Sequence, residues 1–430
     1  MTTTLAPSPA PPSPAARRGR RLTKASTAGV VMGVTGIVDI VGFGLQARPG
    51  KAQFGLTLGG ASVHLAPLKL PPGPTGILAG VVTVALSALW LARPDLGRWA
   101  RRGIIVAVGV LFMLSFLCWA AAGKSLSLVG LLQSSVDRSI PIVLGALAGC
   151  LCERAGVINI AIEGQLLFGA AAGAVAASAS HNRYLGLLAA AAAGGLLALI
   201  LAVFAIRYAV NQIVVGVVLN VLATGLTGYL YDRALVKYQN TLNSPAVFGR
   251  VAIPLLSKIP IAGPVLFDST IFLYLTYVIL VLIQVGLFRT RWGLRVRAVG
   301  EHPVAAETVG IRVLAIRYRN VILGGLVAGI GGAYLTIGSV GPFGKDVSSG
   351  KGFIALAALI FGRWTPIGAL LGALLFGFAD AVQNILSVLG TSIPSDFLLM
   401  IPYIATIVVV AGMVGRVRPP KADGQPYVKS

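Results

Sequence analysis

Residues 151–168 read LCERAGVINIAIEGQLLF. The chain around this stretch is 56% hydrophobic and only 11% charged, with a mean hydropathy of +0.86. Soluble globular proteins carry about 25% charged residues, so this composition indicates a protein of the lipid bilayer. The stretch nevertheless carries five polar side chains, Glu153, Arg154, Asn159, Glu163 and Gln165. Because Gly156 and Gly164 bracket VINIAIE, we predict a broken transmembrane helix whose irregular backbone is buried in protein or lines a water-filled path.

Apolar runs long enough to cross a membrane recur along the whole chain. Crossing a hydrocarbon core of ~30 Å takes about 20 helical residues. We place the runs at 28–46, 75–92, 104–122, 139–152, 163–180, 185–206, 212–231, 268–288, 320–338, 366–388 and 397–415. The run 139–152 is short, so it is either extended by flanking residues or incomplete, and 353–362 is predicted to be a half-helix. The pattern predicts an all-α fold, a polytopic transmembrane helix bundle of about 10–12 helices with a broken or re-entrant helix.

Composition divides the chain into four predicted parts. Residues 1–26 form a Pro-rich, basic N-terminal tail that is predicted to be disordered, 27–122 hold extra transmembrane helices, 123–415 form the core and 416–430 form a second tail. The formal net charge is +22. The basic residues punctuate apolar runs, which is the membrane pattern and disfavours nucleic-acid binding. Most of them fall on one side if the N-terminus lies inside, so both termini are predicted to be cytoplasmic.

Motifs for catalysis, metal binding or cofactor binding are not recognised in the sequence. The nearest approach to a phosphate loop is CWAAAGKS at 118–125, but Cys118 stands where the first glycine is needed and a membrane helix precedes it. The three histidines are scattered, and the three cysteines, Cys118, Cys150 and Cys152, suit small buried apolar positions. We therefore expect no catalytic residue, no metal site and no cofactor, and a protein that is not an enzyme.

The most basic loop, 288–319, contains the punctuation of a short helix. Pro303 suits a first helical turn, a carboxylate near it favours the helix dipole, and Gly310 suits the C-terminal stop. We predict a cytoplasmic helix of about two turns that docks a soluble partner, the alternative being a solvated connector. Its residues are Gly300, Glu301, His302, Pro303, Ala306, Glu307 and Gly310.

Four blocks of sequence carry a resemblance to a known family. RAVGEHPVAAETVGI at 297–311 resembles the coupling loop of ABC importer permeases of the branched-chain amino acid, ribose and nucleoside group. CERAGVINIAIEGQLLFGA at 152–170 is similar to a segment of that group's nucleoside and simple-sugar branch. So are the blocks at 211–230 and 352–383, and all four occur in the family's order. The resemblance covers roughly 126–415 and leaves the first part of the chain unexplained.

The resemblance implies the permease subunit of an ATP-driven importer in the plasma membrane, with 123–415 as the permease core. Nucleosides are the expected cargo, and simple sugars or branched-chain amino acids are the alternatives within the same class. It also implies a separate ABC ATPase subunit, a second permease subunit in a heterodimer or homodimer, an extracytoplasmic substrate-binding lipoprotein, and surrounding membrane lipid. An ion-driven secondary transporter and a membrane enzyme acting on lipid-linked substrates are the alternatives of other classes.

Polar residues near the predicted break are the candidate substrate pathway, because nucleosides and sugars present hydroxyls and ring nitrogens. They are Asn159, Glu163, Gln165, Asn211, Gln212 and Asn220. The alternative is an internal polar clamp that only holds helices together. Two further carboxylates, Asp39 and Asp380, lie in apolar runs, where charges are costly and usually mark function. For Asp39 we favour a helix-end residue that reaches the membrane interface.

Overall fold

The computed structural model describes residues 24–58, 65–93, 95–390, 397, 400 and 419–427. Residues 1–23 of the predicted tail and nearly all of the last predicted span, 397–415, lie outside the described residues. Within the described part, ten helices are long and apolar enough to cross a membrane. The prediction of an all-α polytopic bundle is therefore confirmed. By contacts the chain divides into two units, one holding residues up to Ala52 together with Leu70–Gly123, the other holding Gln53–Lys69 and everything from Lys124 onward.

The first unit is a group of three helices. They are α1 (Lys24–Val38, continued by a π-helical turn at Asp39–Leu45), α2 (Pro72–Ala92) and α3 (Arg98–Ala120). Helices α1 and α2 approach closely through glycines: a Cβ on Gly80 would lie 2.6 Å from the carbonyl oxygen of Gly36. Such small residues let helix backbones meet in lipid. Asp39 lies fully buried in this unit, so the structure does not place it at an exposed helix end.

The second unit holds the remaining elements, most of them helical. Its helices are α4 (Leu128–Glu153), α5 (Ile162–Ser180), α6 (Arg183–Ala202), α7 (Gln212–Leu230), α8 (Gln239–Leu242), α9 (Ala262–Leu266), α10 (Ile271–Arg289), α11 (Arg291–Glu301), α12 (Pro303–Thr308), α13 (Val313–Leu335), α14 (Lys351–Phe361) and α15 (Pro366–Val388). Short strands β1 (Ala52–Gly55), β2 (Leu68–Leu70) and β3 (Ser125–Ser127) form a sheet in the order β2-β1-β3, and β4 (Arg250–Ala252) pairs antiparallel with β5 (Asp268–Thr270).

Helices α4 and α13 lie at the centre of this unit. Helix α13 packs against α4, α5 and α6, while α4 also packs against α14 and α15. Glycines again set the spacing, because a Cβ on Gly325 of α13 would lie 2.5 Å from the carbonyl oxygen of Gly194 on α6. Helix α14 is a half-helix followed by a turn at Gly362–Thr365 and by the full-length α15. The predicted half-helix and return are thus observed.

Two elements differ from the sequence-based bounds. Helix α4 begins at Leu128, so the short run at 139–152 is extended by flanking residues, the first of the two predicted alternatives. The apolar run itself began later because Asp137 and Arg138 lower the local hydropathy. The basic loop holds two helices where one was predicted: α11 takes in Gly300 and Glu301, and α12 begins at Pro303. His302 separates them with an extended backbone, since the residue before a proline is biased away from the helical region.

Candidate functional site

The polar stretch at 151–168 is a break between two helices. Helix α4 ends at Glu153 and α5 begins at Ile162, and Gly156 between them has a φ of +82°. Backbone groups freed by the break are bonded by side chains of α7. The Ile158 N–H donates to Gln212 Oε1 at 2.7 Å, and Asn220 accepts from the Gly164 N–H at 2.8 Å while donating to the Ile160 carbonyl at 2.9 Å.

Asn159 and Gln165 form a second contact across the same break. Both are fully buried, and their amides exchange hydrogen bonds of 3.1 and 3.2 Å. Asn211 does not join this group, because its side chain caps the N-terminus of α7 by accepting from the Ile213 and Val214 N–H groups. The amide contacts described here are those of an internal clamp, and contact with a cargo stays a prediction for these residues.

Glu163 has a different environment from the amides. Its carboxylate accepts from the Ser348 hydroxyl at 2.6 Å and from the N–H groups of Gly350 and Gly352 at 2.9 and 2.5 Å. These groups form the N-terminus of α14, where unpaired N–H groups and the helix dipole favour an anion. A Cβ on Gly352 would lie 2.5 Å from the Glu163 Cα. Glu163 therefore fixes the half-helix directly against α5.

Pockets that bind small molecules typically measure about 300–1,000 Å³, and a cavity of about 330 Å³ lies beside the start of α14. It is formed by the first half of α4, the far end of α13, and the loop that leads into α14. Its lining residues are Ser134, Asp137, Arg138, Pro141, Tyr334, Leu335, Ser339, Val340, Val347 and Lys351. Irregular backbone in the loop 341–350 suits a segment that borders an aqueous path at membrane depth.

Two of the three charged residues that line this cavity, Asp137 and Arg138, are in ion pairs. Arg138 Nη1 lies 2.9 Å from Asp380 Oδ2, and Arg250 Nη2 lies 2.7 Å from Asp137 Oδ2. The other Asp137 oxygen accepts from the Ser269 hydroxyl at 2.9 Å. Lys351 and the Glu163 carboxylate at the N-terminus of α14 complete the set of charges. The positive charges are then equal in number to the negative ones: Arg138, Arg250 and Lys351 against Asp137, Asp380 and Glu163. The cavity therefore presents many hydrogen-bonding groups with little net charge.

Sequence reasoning missed most of the cavity. Asp137 and Arg138 fell outside the predicted apolar run, and Tyr334 lay unmarked inside one. The useful signal was Asp380, an ionisable residue inside a span, because a carboxylate at such a depth needs a partner. That partner, Arg138, is 242 positions away along the chain, so no local pattern could identify it. Among the described residues, no group of His, Cys, Asp and Glu side chains could hold a metal ion.

The predicted docking helix lies at the other end of α13. Helix α12 carries Pro303, Ala306 and Glu307, and Gly310 follows it with a φ of +81°. Val304 and Val309, on and just after this helix, are 64% and 73% exposed.

This region contacts the helix break directly. Gly300 is buried, and a Cβ there would clash with the Arg154 carbonyl. Arg154 in turn donates from Nε to the Trp364 carbonyl at 2.8 Å, and the Trp364 indole donates to Glu153. The short helix, the break and the turn between α14 and α15 are therefore one connected surface.

Comparison with known proteins agrees with this architecture. Residues 131–414 match the family model described as branched-chain amino acid transport system / permease component. The chain is 42% identical over 314 residues to the guanosine ABC transporter permease protein NupQ of Bacillus subtilis, covering 70% of this chain and 96% of that protein. It is 38% identical over 305 residues to the nucleoside ABC transporter permease protein NupC of Lactococcus lactis, covering 68% and 94%.

A sugar permease is also among the relatives. The chain is 32% identical over 248 residues to the glucose ABC transporter permease protein TsgB13 of Haloferax volcanii, covering 56% of this chain and 65% of that protein. No solved structure matches the chain. The family model spans well over half of the sequence and includes the break, the cavity and the short helix. The chain belongs to the permease family of the branched-chain amino acid transport system, and it is a multi-pass membrane protein of the ABC transporter permease type.

Proposed function

We propose that this protein is the transmembrane permease subunit of an ATP-driven importer for nucleosides. The observation that carries the proposal is the charge-paired cavity of about 330 Å³ between α4, α13 and α14, in a chain similar to guanosine and nucleoside permeases. The cavity lies at the end of α13 opposite the short helix, and the helix break lies between them. Cargo is proposed to pass along α14.

The electrostatics of the cavity favour an uncharged, polar cargo. A free helix N-terminus would attract an anion, but at α14 the Glu163 carboxylate already occupies that position. The Arg138–Asp380 pair offers donors and acceptors to hydroxyls and base edges, and the Tyr334 ring offers an aromatic surface. A zwitterionic amino acid would instead need two unpaired charges of opposite sign. Sugars remain the second candidate, because a glucose permease is among the relatives.

The short helix α12 is proposed to dock the separate ATPase. The exposed Val304 and Val309 and the exposed Glu301 supply an apolar patch with a charged rim, as protein interfaces have. Gly300 transmits any movement to the break through its contact with Arg154. Both termini are proposed to lie in the cytoplasm. A second permease subunit and an extracytoplasmic substrate-binding lipoprotein complete the proposed importer.

Uptake assays test the cargo. In a strain lacking the transporter, we expect the restored complex to take up labelled uridine or guanosine in an ATP-dependent manner. Labelled ribose and leucine should not accumulate. Uptake of leucine or ribose without nucleoside uptake would refute the proposed cargo, and uptake by the purified chain alone in response to an ion gradient would refute the class.

Variants of the Arg138–Asp380 pair test whether the cavity binds cargo. Replacing either residue by alanine leaves the other charge unpaired, so both single variants should lose most uptake. The double variant Arg138→Ala/Asp380→Ala restores neutrality but removes the groups that bind cargo. If the pair only braces α4 against α15, the double variant should recover uptake; if it contacts cargo, uptake should stay low while assembly recovers.

A further inference from the structure

Residues 419–427, PPKADGQPY, lie against the same surface that joins the short helix to the break. Pro420, Ala422 and Tyr427 are buried in this segment. Segments near chain termini are poorly ordered unless contacts hold them. The contacts that hold this one come from three places: the docking helices α11 and α12, the helix break, and α13.

The first contact is with the proposed docking helices. The Ala422 N–H donates to the Gly300 carbonyl at 2.9 Å, at the end of α11. The Tyr427 hydroxyl donates to the Glu307 carboxylate on α12. The Tyr427 ring also packs in a small apolar cluster with Val299, Ala306 and Val313. The segment therefore holds α11, α12 and the start of α13 together.

The second contact is with the helix break. The Asp423 carboxyl faces that of Glu153, the last residue of α4. A Cβ on Gly424 would lie 2.7 Å from the Ile158 Cδ1, so the segment packs against a side chain of the break. A Cβ on Gly156 would likewise lie 3.1 Å from the Ala422 carbonyl oxygen. The glycines at the break and in the segment allow the two backbones to approach.

The third contact is with a buried guanidinium on α13. Arg317 is 1% exposed, and a buried charge is costly unless it is paired or hydrogen-bonded. Its Nη1 donates to the Gln425 carbonyl at 3.0 Å, and its guanidinium lies 5.8 Å from the centre of the Tyr427 ring. Among the described residues no carboxylate lies within salt-bridge distance of Arg317. The segment thus supplies a hydrogen bond and an aromatic face to a charge that is buried inside the protein.

We propose that residues 419–427 form a strap that locks the docking helices to the helix break, so that movement of the ATPase is transmitted to α4 and α14. The inference rests on the proposed function, because it assumes that α12 receives the ATPase. The strap acts by position and touches neither cargo nor nucleotide. Without the strap, the main contact between the docking helices and the break is that of Gly300 on α11 with Arg154, so ATPase docking would move the short helices without moving the break.

Two strap variants and one control test the proposal. A deletion of residues 419–430 removes every contact, and Tyr427→Phe removes only the hydroxyl that bonds Glu307. Gln425→Ala is the control, since the Gln425 side chain is exposed and its hydrogen bonds are made by backbone groups, which alanine keeps. All are studied in the complete complex with its ATPase and second permease subunit, after assembly has been checked by size-exclusion chromatography.

The main measurement is uptake per ATP hydrolysed. We expect a severalfold loss for the deletion, which removes every strap contact, a smaller loss for Tyr427→Phe, which removes one hydrogen bond, and no change for Gln425→Ala. ATP hydrolysis itself should persist. Unchanged uptake per ATP in an assembled deletion variant would overturn the strap.

Hydrogen exchange in the permease chain tests the strap independently of the proposed function. The deletion should accelerate amide exchange in 299–309 with or without the ATPase, because the strap contacts lie within this chain. Unchanged exchange would overturn the strap even if uptake fell. Absence of ATP-dependent uptake by the unaltered complex would instead overturn the proposed function, and the exchange result would still decide whether 419–427 holds the short helices.

Discussion

Glu163 illustrates at the residue scale how a buried charge organises a membrane protein. Its carboxylate completes the N-terminus of α14 with three hydrogen bonds, so it positions the half-helix that borders the cavity. Asn159 lies four positions earlier but bonds Gln165 and not α14. The two residues therefore have separable roles, although the sequence placed them in one candidate site.

Glu163→Gln and Asn159→Ala should differ in transport. Glutamine keeps the shape of Glu163 but loses the charge that three donors require, and lost charge-assisted bonds cost about 1.5–3 kcal/mol. We expect Glu163→Gln to assemble and to change the ratio of nucleoside to deoxynucleoside uptake, because α14 shifts beside the cargo. Asn159→Ala should lower the yield of assembled complex and reduce uptake of both compounds equally. Equal loss of both cargoes in Glu163→Gln would assign it a bracing role only.

Asp423 gives the strap a dependence on pH. Burial, and then the facing Glu153 carboxyl, raise the pKa of Asp423 to about 8, while Arg317 opposes the rise; the Cys152 thiol also lies near. In an undocked segment the pKa of Asp423 is about 4, so the docked state binds the proton more tightly. Its contribution to docking is complete below about pH 4 and is lost as the pH rises through about 8.

Spin labels can follow this release. With labels on Val309→Cys and Lys421→Cys, both exposed positions, the fraction at the docked distance should fall as the pH is raised from about 6 to about 8. Asp423→Asn remains neutral, so its docked fraction should stay constant over that range. An equally steep fall in Asp423→Asn would show that another group controls docking.

At the element scale, glycines determine how closely the helices of the second unit pack. Gly325 on α13 meets Gly194 on α6, and a Cβ would lie 2.5 Å from the Gly194 carbonyl oxygen. Gly225 on α7 has no atom within 4 Å of its hypothetical Cβ. The two positions look alike in sequence, since both are helical glycines in apolar runs, but only one is a contact between backbones.

Gly325→Ala and Gly225→Ala form a matched pair. Alanine at 325 forces α13 and α6 apart, and overpacking of this kind typically costs about 1–3 kcal/mol. Alanine at 225 should be neutral or should stabilise slightly through helix propensity. Thermal unfolding in detergent measures the difference. Similar melting temperatures for both variants would contradict the packing described here.

Helix α12 offers the sharpest test of ATPase docking. Val304→Asp places a charge on the exposed apolar patch, and Glu301→Arg reverses the charge at its rim. Both should prevent the ATPase from co-purifying while the permease remains in the membrane. Glu307 is a poorer choice, because its carboxylate also holds Tyr427. Thr308→Ala is the control, since its exposed hydroxyl bonds only the local Ala305 carbonyl. Normal co-purification of Val304→Asp would leave the loop as a connector.

At the scale of the whole molecule, the sequence by itself determined the membrane bundle. Apolar length and charge punctuation predict spans because lipid cannot satisfy an unpaired backbone group. Pro303 and Gly310 predicted the short helix, and Gly156 with its neighbouring amides predicted the break, because these signals act within a turn or two of helix. Each of these elements is present in the structure.

Tertiary structure alone decided which polar groups meet. Asp137 and Arg138 reduce the local hydropathy, so the predicted run began only at 139; their ion-pair partners, Arg250 and Asp380, come from distant elements. The contact between 419–427 and Arg317 likewise could not be predicted from the sequence. Removing a charge from water costs more free energy than local helix propensity can offset. A buried charged side chain therefore lies where the fold places a partner for it. That partner is distant in sequence, so no local pattern identifies it.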